Sequence, residues 1–184
     1  MHLVKLTNAQ KHYCKHIFNL EINLKDVIVV SGENGQGKTT LIELILGYKK
    51  PDKGKVEKNK IKIGYLPEES MLPNLVRVCD YLETLAKVKK TKIDEKIIHL
   101  FDIPIFKPIS QLSKGNKQKL AIISIFIGKP DLVILDEPFS GLDTYSKDRL
   151  VDFITEKSNQ KMSFLISTHQ PKRFSHIMTK ALYL

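Results

Sequence analysis

The densest set of groups that could act on a phosphate lies in one run: Ser31, Gly32, Glu33, Asn34, Gly35, Gln36, Gly37, Lys38, Thr39 and Thr40. Glycine at 32, 35 and 37 lets the backbone curl until its N–H groups converge on one point. Lys38 adds a mobile cation for the outer phosphates of a nucleotide, and Thr39 a hydroxyl for Mg²⁺. The spacing Gly32-x4-Gly37-Lys38-Thr39 is that of a phosphate-binding loop. An ordinary strand-to-helix turn that carries glycines is the bland alternative.

Such a loop needs a strand before it and a helix after it. The apolar run Val27 to Val30 reads as a buried strand, and Leu41 to Leu46 as a helix. That helix would point its positive end at the place where the N–H groups converge. A second chemical pair follows another apolar run, Leu132 to Leu135, which ends in Asp136, Glu137 and Pro138. In an open parallel sheet, ligands collect at the carboxyl ends of strands. Asp136 is suited to hold Mg²⁺ through its water shell, and Glu137 to orient and polarise an attacking water. An acidic turn capping a core strand is the alternative.

The rest of the chain supplies elements to hold these groups. Phe18 to Leu24 alternates apolar and polar residues, as a strand with one wet face does. Pro51 to Gly54 reads as a turn, and Lys55–Glu57 and Ile61–Tyr65 as short strands. The strands flanking the loop unit are expected in an antiparallel sheet beside a parallel core. Leu75, Val78, Leu82, Leu85 and Val88 recur at helical spacing, and a second helix is expected around Ile93 to Phe101. The prolines between Ile103 and Ser110 exclude one continuous helix there. A helix from near Ser113 to Ile127, strands at Asp131–Asp136 and Met162–Ser167, a helix at Thr144–Lys157 and a last strand at Ala181–Leu184 complete the reading. Strands alternating with helices argue for a mostly parallel sheet.

At 184 residues the chain is long enough for one domain with a real core. No signal peptide is expected from Met1 to Leu6, and no apolar run approaches the roughly 18 residues of a membrane span. Two cysteines do not make a disulfide framework. The net charge of +10 would suit a nucleic acid or an anionic membrane surface, but the lysines are spread along the whole chain. A lysine-rich solvated surface accounts for that charge equally well.

Leu112-Ser-Lys-Gly-Asn116 opens a helix, with Ser113 placed as an N-cap. With it, the chain resembles the nucleotide-binding subunit of an ATP-binding cassette (ABC) transporter. The family signature LSGGQ stands here as LSKGN, after the loop GENGQGKT and before LVILDEP, the D-loop Ser140-Gly-Leu-Asp143 and His169. The resemblance implies an α/β fold: a P-loop ATPase core with a mostly parallel sheet, an antiparallel β lobe and a compact helical lobe. It places the core and β lobe in 1–66 and 131–184 and the helical lobe at about 67–130, within a single ABC ATPase domain over 1–184.

The resemblance also implies roles. Tyr13 would stack on adenine, Glu68 would stand at the glutamine-loop position beside Mg²⁺, and His169 would contact the γ-phosphate. Ser113, Gly115 and Asn116 of one subunit would close over ATP held by the other, with Asp143 at the same interface. Lys114, Asn116 and Glu68 depart from the commonest residues of the pattern; Glu68 adds a negative charge where an amide is usual. LPEE and LSKG forms resemble small bacterial export-type subunits. The expected partners are a second ABC subunit, identical or not, and an integral membrane permease docking near Leu66–Pro73. The expected location is cytoplasmic, peripheral on the inner face of the membrane. A soluble ABC ATPase acting on ribosomes or nucleic acid is the second reading, although that class usually carries paired cassettes or a long coiled coil; a P-loop kinase ranks last. His12, Cys14 and His16 would share one face of a strand, as a metal cluster or, beside Tyr13, as the flank of the adenine site.

Overall fold

The computed structural model describes residues 2–184. Its centre is a five-stranded parallel sheet in the order β5 (Ile63–Leu66), β6 (Leu132–Asp136), β7 (Ser163–Ser167), β3 (Val27–Ser31) and β8 (Lys180–Tyr183). Strands β3, β6 and β7 are buried at every residue. Their near-continuous apolar runs are what a sheet covered on both faces requires. Alternate residues feed opposite faces. Val27, Val29, Val133, Leu135, Phe164 and Ile166 join one apolar cluster, and Ile28, Val30, Leu132, Ile134 and Leu165 the other.

The second cluster is closed by α1 (Lys38–Leu46) and by an antiparallel sheet of β1 (His2–Gln10), β2 (Phe18–Asn23) and β4 (Lys53–Lys58), ordered β2-β1-β4. The strand expected at Ile61–Tyr65 does not join this sheet. It becomes β5, paired in parallel with β6. Leu66, at its end, packs in the first cluster, and that burial draws the strand to the core sheet.

The first cluster is covered by α2 (Val78–Val88), α3 (Glu95–Phe101), α4 (Lys114–Phe126) and α5 (Thr144–Asn159). Val78, Leu82 and Phe101 from residues 67–130 therefore pack in the same cluster as the sheet. Leu75 falls outside α2 and is exposed. The proline-rich stretch after α3 has a structural use. Lys107 and Ile105 carbonyls accept from Val78 and Cys79 N–H at 3.1 and 2.8 Å. These bonds satisfy first-turn donors of a helix whose N-cap, Arg77, makes no side-chain cap. After β7 the chain makes a single 3₁₀ turn, Pro171–Phe174. Among the described residues no helix is long and apolar enough to cross a membrane.

Candidate functional site

Strand register builds the site. Val30 pairs with Ser167, and Ser167 with Asp136, so β3, β7 and β6 end side by side. The loop after β3, the acidic pair after β6 and the Thr168–His169 step after β7 therefore emerge together, at the carboxyl edge of the sheet. They enclose a pocket of about 300 Å³ lined by Glu33, Asn34, Gly35, Gly37, Lys38, Thr39, Thr40, Glu68, Asp136, Glu137 and His169.

Within the loop, Gly37 caps α1 with φ 102°, a left-handed conformation that glycine adopts without strain. A Cβ there would also lie 2.8 Å from Cys14 Sγ. Lys38 is buried, and its Nζ donates to the carbonyls of Gly32 at 2.6 Å and Glu33 at 3.2 Å. The ammonium is thus held over its own loop. Gly32 and Gln36 belong to the loop but do not line the pocket.

The acidic pair is asymmetric. Asp136 is buried, and Ser167 Oγ donates to its Oδ1. Glu137 takes φ 44°, left-handed for a residue with a Cβ and directly ahead of Pro138. Proline disfavours helical backbone in the residue before it, and a non-glycine in this region costs on the order of 1–3 kcal/mol. Two contacts hold the bend: Glu137 N–H donates to Ser167 O at 3.1 Å, and Ser140 N–H to Glu137 O at 3.1 Å. The bend turns the carboxylate into the pocket. His169 N–H donates to Glu137 Oε2 at 3.4 Å, and His169 Nε2 lies 3.4 Å from Oε1. Oε1 is enclosed and has no aligned hydrogen-bond donor. Burial pushes the Glu137 carboxyl above its ordinary value, against the opposing pull of His169 and Lys38. Below the acidic pair, burial and then the Asp136 charge push the Tyr65 hydroxyl up to about 12.

The remaining expected residues lie outside this pocket. Ser113 caps α4, accepting from Asn116 N–H at 3.2 Å. Gly115 packs so closely on the Ser140–Asp143 loop that an added Cβ would stand 2.7 Å from Gly141 O. Asp143 caps α5, accepting from Ser146 N–H at 2.8 Å and Ser146 Oγ at 2.9 Å, which lowers its carboxyl from the usual range. Tyr13 is exposed and sits in the turn after β1, with Lys49 Nζ 5.2 Å from its ring centroid. His12, Cys14 and His16 lie in that turn and not on a strand, so they do not share a face as alternation implies. Cys14 packs on Gly37, and His12 Nδ1 bonds Asp52 Oδ2 at 2.9 Å. Among the described residues no group of three His, Cys, Asp or Glu could hold a metal by itself.

One contributor escaped the sequence reading. Gln118, buried in α4, donates from Nε2 to Pro138 O at 3.2 Å. It ties the helix capped by Ser113 to the turn that carries Glu137. A polar residue at a core-facing position of α4, a feature it shares with Ser124, was the only available signal.

Comparison with known proteins agrees with this architecture. A family model described as ABC transporter matches residues 16–140, which include the phosphate loop, Ser113 and the Asp136–Glu137 pair but not Tyr13, Asp143 or His169. The chain is 36% identical over 193 residues to an ABC transporter ATP-binding protein, MJ1023, of Methanocaldococcus jannaschii, covering 98% of this chain and 73% of that one. It is 35% identical over 165 residues to the zinc import ATP-binding protein ZnuC of Acinetobacter baylyi, covering 83% of this chain and 61% of that one. The dimeric post-hydrolysis structure of the ATP-binding cassette MJ0796, bound to ADP and Pi, has the same fold, with a TM-score of 0.81 at 19% identity over 98% of this chain and 94% of that one.

Proposed function

The chain belongs to the ABC transporter family, and we propose how its residues divide the work of an ATP-hydrolysing transport subunit. It is an ATP-binding ATPase. One observation carries the division of labour: Lys38, Thr39, Asp136, Glu137 and His169 line one pocket, and Ser113, Gly115 and Asn116 stand outside it. The pocket supplies one half of a site, and a second copy or a related subunit supplies the other half through Ser113, Gly115 and Asn116. Asp143 sits at the same junction.

Within the pocket, the loop N–H groups and Lys38 bind the phosphates. Glu137 accepts a proton from the attacking water. Its raised proton affinity suits a base, and its bent backbone spares it reorientation. His169 holds the Glu137 carboxylate from one side and offers Nε2 to the γ-phosphate. The donor set fits Mg²⁺, because a hydroxyl and carboxylates, all hard oxygens, line the pocket. Ser167 fixes one oxygen of Asp136, which orients the other. Thr39 and Asp136 would hold the ion, with Glu68 at its edge, and the ion supplies charge neutralisation on the phosphates. Tyr13 stacks on the base.

Residues 67–130 act as the lobe that presents Ser113 to the partner. Met71 and Leu75 are almost wholly exposed, 101% and 96%, in the loop after β5. This supports a membrane permease docking near Leu66–Pro73, with the subunit peripheral on the cytoplasmic face. Export is the proposed direction, from the Leu66–Glu69 and Leu112–Gly115 patterns; the zinc import name of one relative is the competing reading. Reconstitution with the permease in inside-out vesicles tests both. ATP-driven substrate accumulation inside those vesicles supports export, and ATP-driven release of preloaded substrate supports import. ATP turnover that is unaffected by dilution to the monomer would overturn the two-halves site.

A further inference from the structure

The turn between α1 and β4 grips the turn that carries Tyr13. Residues 11–17 have no regular structure of their own, so something else must hold them. Lys11 Nζ donates to Asp52 Oδ1 at 2.6 Å and to Lys50 O at 3.1 Å. His12 donates from its backbone N–H to Asp52 Oδ2 at 2.8 Å, and His12 Nδ1 meets the same oxygen at 2.9 Å. Asp52 N–H donates in return to Gln10 O at 2.8 Å. Both oxygens of one carboxylate and its own amide are therefore committed to residues 10–12. A surface ion pair alone contributes little. This one differs in two ways: backbone amides share it, and the Lys11 side chain is only 13% exposed.

Two residues further on, Cys14 Sγ packs against Gly37, at the start of α1. Tyr13 thus stands between an anchored end at Lys11–His12 and a packed end at Cys14. The same turn reaches its ring: Lys49 Nζ is 5.2 Å from the Tyr13 centroid and 2.8 Å from Glu43 Oε2 on α1. Lys11 Nζ lies 5.8 Å from that centroid. Both cations stand within cation–π distance of the ring.

We propose that Asp52 is a positioning residue for the nucleotide base: through Lys11 and His12 it holds the 11–17 turn so that Tyr13 stands beside the phosphate loop. This rests on the reading of Tyr13 as the base-stacking residue. Asp52 touches no nucleotide; it acts through the turn. The backbone arrangement makes binding tighter by ordering Tyr13 before the ligand arrives.

Calorimetric titration of the full chain with ATP and with inorganic tripolyphosphate tests it, using Asp52→Ala, Asp52→Glu and Tyr13→Ala. Asp52→Ala is expected to weaken ATP by about tenfold, the scale of one lost base stack. Tripolyphosphate, which has no base, is expected to bind all three variants as it binds the wild type, and Asp52→Glu to recover part of the ATP affinity. Equal losses for ATP and tripolyphosphate in Asp52→Ala would overturn the proposal, since the phosphate loop itself would then be damaged. Unchanged ATP affinity in Asp52→Ala, with a loss in Tyr13→Ala, would overturn the positioning role and leave the stacking role standing. Unchanged ATP affinity in Tyr13→Ala would overturn both.

Discussion

Glu137 and His169 meet twice: the His169 N–H donates to Glu137 Oε2 at 3.4 Å, and Nε2 lies 3.4 Å from Oε1. The two residues follow different strands, β6 and β7, whose register sets Asp136 beside Ser167. A pocket-facing carboxylate with one enclosed oxygen and one imidazole neighbour is placed to take a proton from water.

Replacing Glu137 by Gln keeps the shape and removes the proposed base. Hydrolysis is expected to fall by about 10²- to 10⁴-fold, the usual worth of a positioned base. ATP binding should persist, and the variant should accumulate as an ATP-bound dimer in size-exclusion chromatography. A variant that turns over at the wild-type rate would remove Glu137 from the base role.

The same substitution carries a pH signature. Burial raises the Glu137 carboxyl in the folded state above its unfolded value. A raised carboxyl favours folding below the unfolded value, and that contribution is lost as pH rises through the folded value. At neutral pH the wild type therefore carries an unfavourable buried charge that Glu137→Gln lacks. Thermal melts of the nucleotide-free chain should show a higher Tm for Glu137→Gln at pH 7–8, with the gap closing toward about pH 4.

Lys38→Ala removes the cation that now caps the Gly32 and Glu33 carbonyls. ATP affinity should fall at least a hundredfold, since a charged contact to phosphate contributes on the order of 3 kcal/mol. Equilibrium titration measures this directly.

Gln118→Ala strips the buried Pro138 carbonyl of its donor. Stability should fall by about 1–3 kcal/mol in urea denaturation. Because the bond braces the turn holding Glu137, kcat should fall more than ATP affinity does.

Gly115→Ala places a Cβ 2.7 Å from Gly141 O, a backbone atom that cannot swing aside. The α4 start and the Ser140–Asp143 loop must part. A cost of about 1–3 kcal/mol in stability follows from such overpacking. ATP-dependent dimerisation should weaken with it, which analytical ultracentrifugation of the variant with ATP reads.

The phosphate loop, its strand and its helix were legible in Val27–Leu46 because glycine spacing, an apolar run and helical periodicity all act within a few residues. The acidic pair after an apolar strand and the cap at Ser113 were legible for the same reason; the cap at Asp143 was seen only in the structure. The tertiary structure alone decided three things. Burial of Leu66 against the helices moved Ile63–Leu66 from the antiparallel sheet to the parallel one. Strand register aligned Asp136, Ser167 and Val30, and so brought Glu137 and His169 within reach of Lys38. Long-range side-chain bonds joined Gln118 to Pro138 and Asp52 to Lys11 and His12. Patterns along the chain report which face of an element is apolar. Which buried face meets which, and at what register, depends on contacts tens of residues apart, and no local pattern carries that information.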